Sequence, residues 1–205
     1  LSGWTNPQIQ ASWFGEFKAT GLLEAAVLLR LPKGAESRLR LTVEGRSQDA
    51  RARGTGEFVV AWVGDYDNPV KGRQFASNRN PIADQFNVSP GLTFLPDIDV
   101  AIGSGGQFVI AYEANDDDTN DDSFNGVFAQ RFDSSGTPTG GAFLVNTFTP
   151  DNQDHPGVAV LPSGDFVVTW QSFNPADSDV KAQRFNSSAG KLGTEFQVSV
   201  STCFQ

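Results

Sequence analysis

Methionine is absent, cysteine and histidine occur once each, and no apolar run approaches the length of a membrane span. Each shortage excludes something. One cysteine, Cys203, cannot build an internal disulfide framework or a thiolate zinc site. One histidine, His155, cannot supply a His-rich metal centre within a single chain. A spanning helix needs roughly 18 consecutive apolar residues, so no membrane insertion is expected. Basic residues are scarce: 15 Lys+Arg against 24 Asp+Glu give a formal charge of −9 and a pI near 4.5. Such a chain lacks the basic face that phosphate neutralisation requires, which argues against nucleic acid or an anionic membrane as partner. Without methionine, Leu1 is not an initiator, and a processed form or a fragment is expected. No charged-plus-apolar targeting segment opens the sequence.

What is present is unevenly spread. Residues 1–56 carry eight Lys/Arg and five Asp/Glu, a net of +3; residues 57–205 carry seven and nineteen, a net of −12. The split suggests an N-terminal β segment, 1–56, and a repeat domain, 57–205.

The repeat is the strongest signal. Phe58–Trp62 reads FVVAW, Phe108–Tyr112 reads FVIAY and Phe166–Trp170 reads FVVTW. Each follows a Gly-containing turn. A second block follows each first: VKGRQF at 70–75, VFAQRF at 127–132 and VKAQRF at 180–185. A third block opens at Phe86, Phe143 and Phe196, always at the same distance from the last Phe of the second. A fourth precedes the first, as Val100-Ala101-Ile102 and Val158-Ala159-Val160.

Each block is short, rich in β-branched and aromatic residues, and alternating, which is the pattern of a strand with two distinct faces. Gly, Pro, Asn, Asp and Ser fill the gaps. Four short strands per unit of roughly fifty residues is the arithmetic of a propeller blade or a comparable all-β repeat. The expected fold is therefore all-β and propeller-like, with three clear repeats plus the N-terminal β segment. Three repeats fall short of the four to eight blades that usually close a ring. The N-terminal strands can supply a fourth unit, or a second chain can close it. Trp62 and Trp170 recur in register with Tyr112, which favours core packing over ligand stacking. The repeated pair Gln130-Arg131 and Gln183-Arg184, inverted as Arg73-Gln74, reads as structural.

The pattern G-x-F-V-V-x-W, V-x-A-Q-R-F-D-x-x-G, F-x-V-N resembles the tandem repeats of large secreted or surface-attached bacterial proteins, often found beside calcium-dependent adhesin modules. AQRFDSSG at 129–136 and AQRFNSSAG at 182–190 carry it best. The resemblance implies an extracellular, propeller-like, cation-assisted module for binding or structure. It implies no established catalytic reaction.

Between the first and second block of every repeat lies an acidic loop. The first holds Asp65, Asp67 and Asn68, the second Asp116, Asp117, Asp118, Asn120, Asp121 and Asp122, the third Asn174, Asp177 and Asp179. Calcium takes six to eight oxygen ligands, and Asp116, Asp118, Asn120 and Asp122 alternate as a loop wrapped round an ion requires. This loop resembles the calcium loops of integrin-type propeller blades. A solvated acidic loop that keeps a strand edge from pairing is the alternative. With one His and one Cys, oxygen donors are the plausible metal ligands, which points to Ca²⁺ rather than Zn²⁺.

Residues 9–17, 22–31 and 37–45 read as three further strands. GWTNP at 3–7, WFGEF at 13–17 and RLRLTVEG at 38–45 resemble part of a β-sandwich domain of carbohydrate-associated bacterial proteins. Trp4 and Trp13 lie outside the repeat and are the candidates for stacking on a sugar, with N-terminal core packing as the other reading.

A Ser-His-Asp arrangement would need His155, and no G-x-S-x-G accompanies it. A glycosidase needs only two carboxylates; Asp97, Asp99, Asp154 and Asp165 lie nearest the expected inner strands. The expectation from sequence is an extracellular, calcium-assisted adhesion or recognition module without catalytic activity, taking a surface glycan or protein ligand. A carbohydrate-binding or glycoside-hydrolysing propeller protein is the alternative.

Overall fold

The computed structural model describes residues 36–43, 46–53, 56–64, 70–89, 96–115, 125–174 and 177–199. Side chains are described from residue 56 onward, those of Asn174 and Asp177 excepted. Thirteen strands and no helix occur among these residues. They are β1 (Glu36–Val43), β2 (Arg46–Arg53), β3 (Phe58–Val63), β4 (Val70–Phe75), β5 (Phe86–Asn87), β6 (Ile98–Ile102), β7 (Phe108–Asn115), β8 (Asn125–Phe132), β9 (Phe143–Leu144), β10 (Gln153–Val160), β11 (Phe166–Asn174), β12 (Asp177–Phe185) and β13 (Phe196–Gln197).

These strands form three antiparallel sheets in chain order: β1-β2-β3-β4-β5, β6-β7-β8-β9 and β10-β11-β12-β13. The repeated sequence blocks take the same register in each. Phe58 lies opposite Phe75, Phe108 opposite Phe132 and Phe166 opposite Phe185. The three pairs stack with ring centroids 4.9, 4.7 and 5.0 Å apart. Gly56, Gly106 and Gly164 close the preceding turns at φ of 85, 90 and 87°, a conformation that favours glycine.

The turn after the second block repeats as well. Its left-handed position is held by Arg79, Gly136 and Ala189, at φ of 70, 83 and 67°. The Asp or Asn of the resemblance motif shapes this turn: Asp133 Oδ1 accepts from Ser135 N and Thr137 N, and Asn186 Oδ1 accepts from Ser188 N and Gly190 N. The repeated Gln is structural, since Gln130 and Gln183 donate to carbonyls ten residues on, at Gly140 and Gly193. Arg73 makes the equivalent bond to Ala83 in the first repeat.

The first repeat hides its first strand. β2 reads RSQDARAR, with no apolar block, yet Ala50 lies opposite Val60 as Val100 lies opposite Ile110 and Val158 opposite Val168. The sheet that contains β2 and β3 thus crosses position 56/57, where the charge balance changes. Of the expected N-terminal strands, 37–45 corresponds to β1; 9–17 and 22–31 lie outside the described residues, as do Trp4 and Trp13.

The sheets pack face to face and bury two apolar layers. Val59, Ala61, Val70 and Val88 of the first meet Ile98, Val100, Phe108 and Ile110 of the second. Val109, Ala111, Val127 and Val145, on the opposite face of the second, meet Val158, Phe166, Val168 and Trp170 of the third. Each fully buried Val or Phe stabilises by roughly 1.5–3 kcal/mol. Trp170 is a core residue whose indole N–H donates to the side-chain Oε1 of the buried Gln153 at 3.1 Å.

Candidate functional site

The antiparallel registers place the starts of β6, β8, β10 and β12 and the ends of β7 and β11 at one end of the second and third sheets. The polar side chains that converge there come from both sheets. Asp97 precedes β6, Glu113 sits near the end of β7, and Asp154 and His155 begin β10.

Local backbone geometry aims His155 at the seam. The β10–β11 register shifts between Asp154 and Gly157, and His155 has a φ of 51° at this irregularity. Such a bulge bends a strand and redirects a side chain. The His155 amide donates to Glu113 Oε1 at 2.7 Å. Its ring Nδ1 lies 2.8 Å from Asp154 Oδ1, and Nε2 lies 3.4 Å from Asp97 Oδ2. A carboxylate on Nδ1 fixes ring orientation and leaves Nε2 facing the other acids, an arrangement common around metal-bound imidazoles. One ligand atom each from Asp97, Glu113 and His155 lie within 4.8 Å of one another.

The electrostatics follow from the packing. Glu113 is buried, and desolvation pushes its carboxyl up to about 7; the nearby Asp97 and Asp154 add to the rise, against hydrogen bonds that lower it. The His155 ring is raised above its usual value, chiefly by the hydrogen bond to Asp154, then by the charges of Asp154, Asp97 and Glu113, with burial opposing. In the same seam Asp99 ties the sheets together. It is buried, accepts from Val100 N within its own sheet at 2.7 Å, and accepts from Val158 N of the third at 2.9 Å.

Of the acids nearest the expected inner strands, Asp97 and Asp154 meet at this site. Asp99 serves as the inter-sheet tie, and Asp165 accepts from Ser187 N in a turn. The acidic-loop residues Asp65, Asp67, Asp116, Asp118, Asn120 and Asp122 lie outside the described residues, and Asp177 is placed by its backbone alone. Asp179 accepts from Gln197 Nε2 and Ser199 Oγ, bonds that span β12 and the segment around β13. The residues flanking the middle loop, Asn115 and Asn125, stand at the same end as the Asp97–Glu113–His155 group, and Asn125 N donates to Asn152 Oδ1 across the seam.

Glu113 was not singled out by residue type or motif. Its signal is departure from the repeat: Val63 and Gln171 hold its position in the other two sheets. His155 carries the same kind of signal, being the sole histidine and standing where the other repeats have none.

Residues 1–73 match a family described as a domain of unknown function (DUF5077), a match ending within β4. No curated protein matches the chain. Among solved structures the chain is similar to an endo-arabinase from Bacteroides thetaiotaomicron, at 15% identity and a TM-score of 0.42, covering 80% of this chain and 61% of that one. It is also similar to an N-acetylgalactosamine deacetylase from F. plautii, solved with blood group B trisaccharide, at 16% identity and a TM-score of 0.40, covering 70% of this chain and 49% of that one. The chain therefore spans less than two thirds of either structure.

Proposed function

We propose that the chain is an extracellular recognition module of propeller-like build, in which Asp97, Glu113 and His155 hold a divalent cation beside the ligand site. The observation that carries this reading is the meeting of two carboxyls and an oriented imidazole, drawn from two sheets, within 4.8 Å. The repeated register and the face-to-face packing of one five-stranded and two four-stranded sheets in chain order support the propeller-like build. Calcium at the acidic loops extends the reading: Asn115 and Asn125, which flank the segment that carries Asp116 to Asp122 in the sequence, stand at the same end as this group. The imidazole widens the choice of ion at the seam, because carboxylates suit Ca²⁺ whereas His also suits Mn²⁺ or Zn²⁺. A surface glycan or protein is the ligand class, with Trp4 and Trp13 as stacking residues for a sugar.

Thermal denaturation with Ca²⁺, Mn²⁺ or Zn²⁺ tests it. One of these ions at millimolar concentration raises the Tm, EDTA reverses the rise, and Asp97→Asn or His155→Ala abolishes it. A Tm unmoved by all three ions rejects the cation.

A second reading is favoured by one arrangement: a buried Glu113 carboxyl, pushed up to about 7 by desolvation, stands beside a second carboxyl, that of Asp97. That pairing suits a glycoside hydrolase with Glu113 as general acid and Asp97 as its carboxylate partner. Reducing-sugar release from a polysaccharide panel, lost in Glu113→Gln, supports hydrolysis; no release from any polysaccharide rejects it.

A further inference from the structure

The two internal sheet contacts repeat one design. Phe86, from the last strand of the first sheet, packs on the Phe108–Phe132 stack of the second, with centroids 6.0 and 4.7 Å away. Phe143, from the last strand of the second, packs on the Phe166–Phe185 stack of the third, at 6.4 and 5.4 Å. Around each plug, two valines are covered by the following sheet: Val70 and Val88, then Val127 and Val145, all at most 7% exposed.

Both ends of the array carry half of this contact. On the third sheet the equivalent plug and valines are Phe196, Val180 and Val198, which are 48, 41 and 52% exposed. On the first sheet the equivalent stack is Phe58 and Phe75. Both are only half-buried, whereas their counterparts in the other two sheets are at most 2% exposed. Val60 and Trp62 on the same face are also half-buried, against buried Ile110 and Tyr112.

We infer that the third sheet of one copy docks on the first sheet of a second copy, Phe196 entering the Phe58–Phe75 stack, and that two copies close a ring. The occupant is a second copy because the chain carries both the plug and the socket, and the contact continues an interface it already makes twice. Counting the sheets of the described residues, two copies supply six, within the roughly four to eight that close a propeller; one copy supplies three and three would supply nine. The closing contact lacks one internal tie. Gly157 stands in the third sheet where Asp99 stands in the second, so no carboxylate reaches across from that position. Association is therefore apolar in character and concentration-dependent.

The closure, but not the docking, rests on the propeller-like reading, and light scattering separates the two. At about 100 µM the wild-type chain is expected at twice its 22.0 kDa mass. Phe196→Glu and Val198→Glu, both on exposed positions, are expected to give monomers with unchanged circular dichroism. Val60→Asp breaks the opposite end; mixed with Phe196→Glu it is expected to restore a dimer through the one intact contact. A wild-type monomer, or a dimer untouched by Phe196→Glu, overturns the inference. So does a mixture that stays monomeric, or a Val60→Asp chain that is dimeric by itself, which would mean that two third sheets meet each other. Growth into longer assemblies keeps head-to-tail docking and rejects the ring.

Discussion

The second and third sheets are built from the same blocks in the same register, and they differ in what covers them. The second is covered on both faces, and Val127 and Val145 are fully buried. The third is covered on one face, and its Val180 and Val198 are about half exposed. The residues are the same type at the same strand positions. Burial here belongs to the neighbour and not to the amino acid, so an identical substitution has an unequal cost in the two sheets.

The largest expected effect breaks this comparison directly. Phe132→Ala opens a cavity in the first core layer and is expected to cost ~3–5 kcal/mol in denaturant unfolding. Phe196→Ala, measured at a concentration where the chain is monomeric, is expected to cost well under half of that, because its ring is already 48% exposed. Equal costs would mean that the third sheet's open face is covered in solution.

The next effect concerns the seam between the two sheets. Glu113 has an ordinary value of 4.5 and is held at about 7 in the fold. Between these values the folded chain binds more protons than the unfolded one, so stability falls as pH rises through that window. His155 is raised too; its contribution is full below its ordinary 6.5 and fades as pH passes its folded value. Both slopes have the same sign, so in EDTA the wild-type Tm is expected to drop by several degrees from pH 5 to pH 8. Glu113→Gln keeps an acceptor for the His155 amide and shows a smaller drop. An equal drop in the variant would remove Glu113 from the account.

The smallest effect compares the turns. Ala189 adopts the left-handed conformation that Gly136 holds in the second sheet. Ala189→Gly is expected to stabilise, and Gly136→Ala to destabilise, each by about 0.5–1.5 kcal/mol. Thermal melts of the two variants should move in opposite directions.

Most of the strand plan was legible because aromatic and β-branched residues recur at fixed spacing. β3 to β13 all fall on the repeated blocks. β2 was not legible: its pairing partners, and not the composition of RSQDARAR, make it a strand. Asp97, Asp154 and His155 stand out in the sequence as acids near inner strands and as the one imidazole. Their meeting with Glu113 depends on a bulge and on contact between sheets, neither of which residue spacing encodes. Glu113 itself was visible as a break in the repeat, a signal that a search for conserved pattern passes over.

The last strand of each sheet, β5, β9 and β13, is two residues long. A stretch that short offers almost no free backbone for another strand to pair with. The described sheets are thus blunt along this edge, whereas the first and third leave apolar side chains partly open on their outer faces. Amyloid-like extension along the hydrogen-bonding direction finds little to hold on that side.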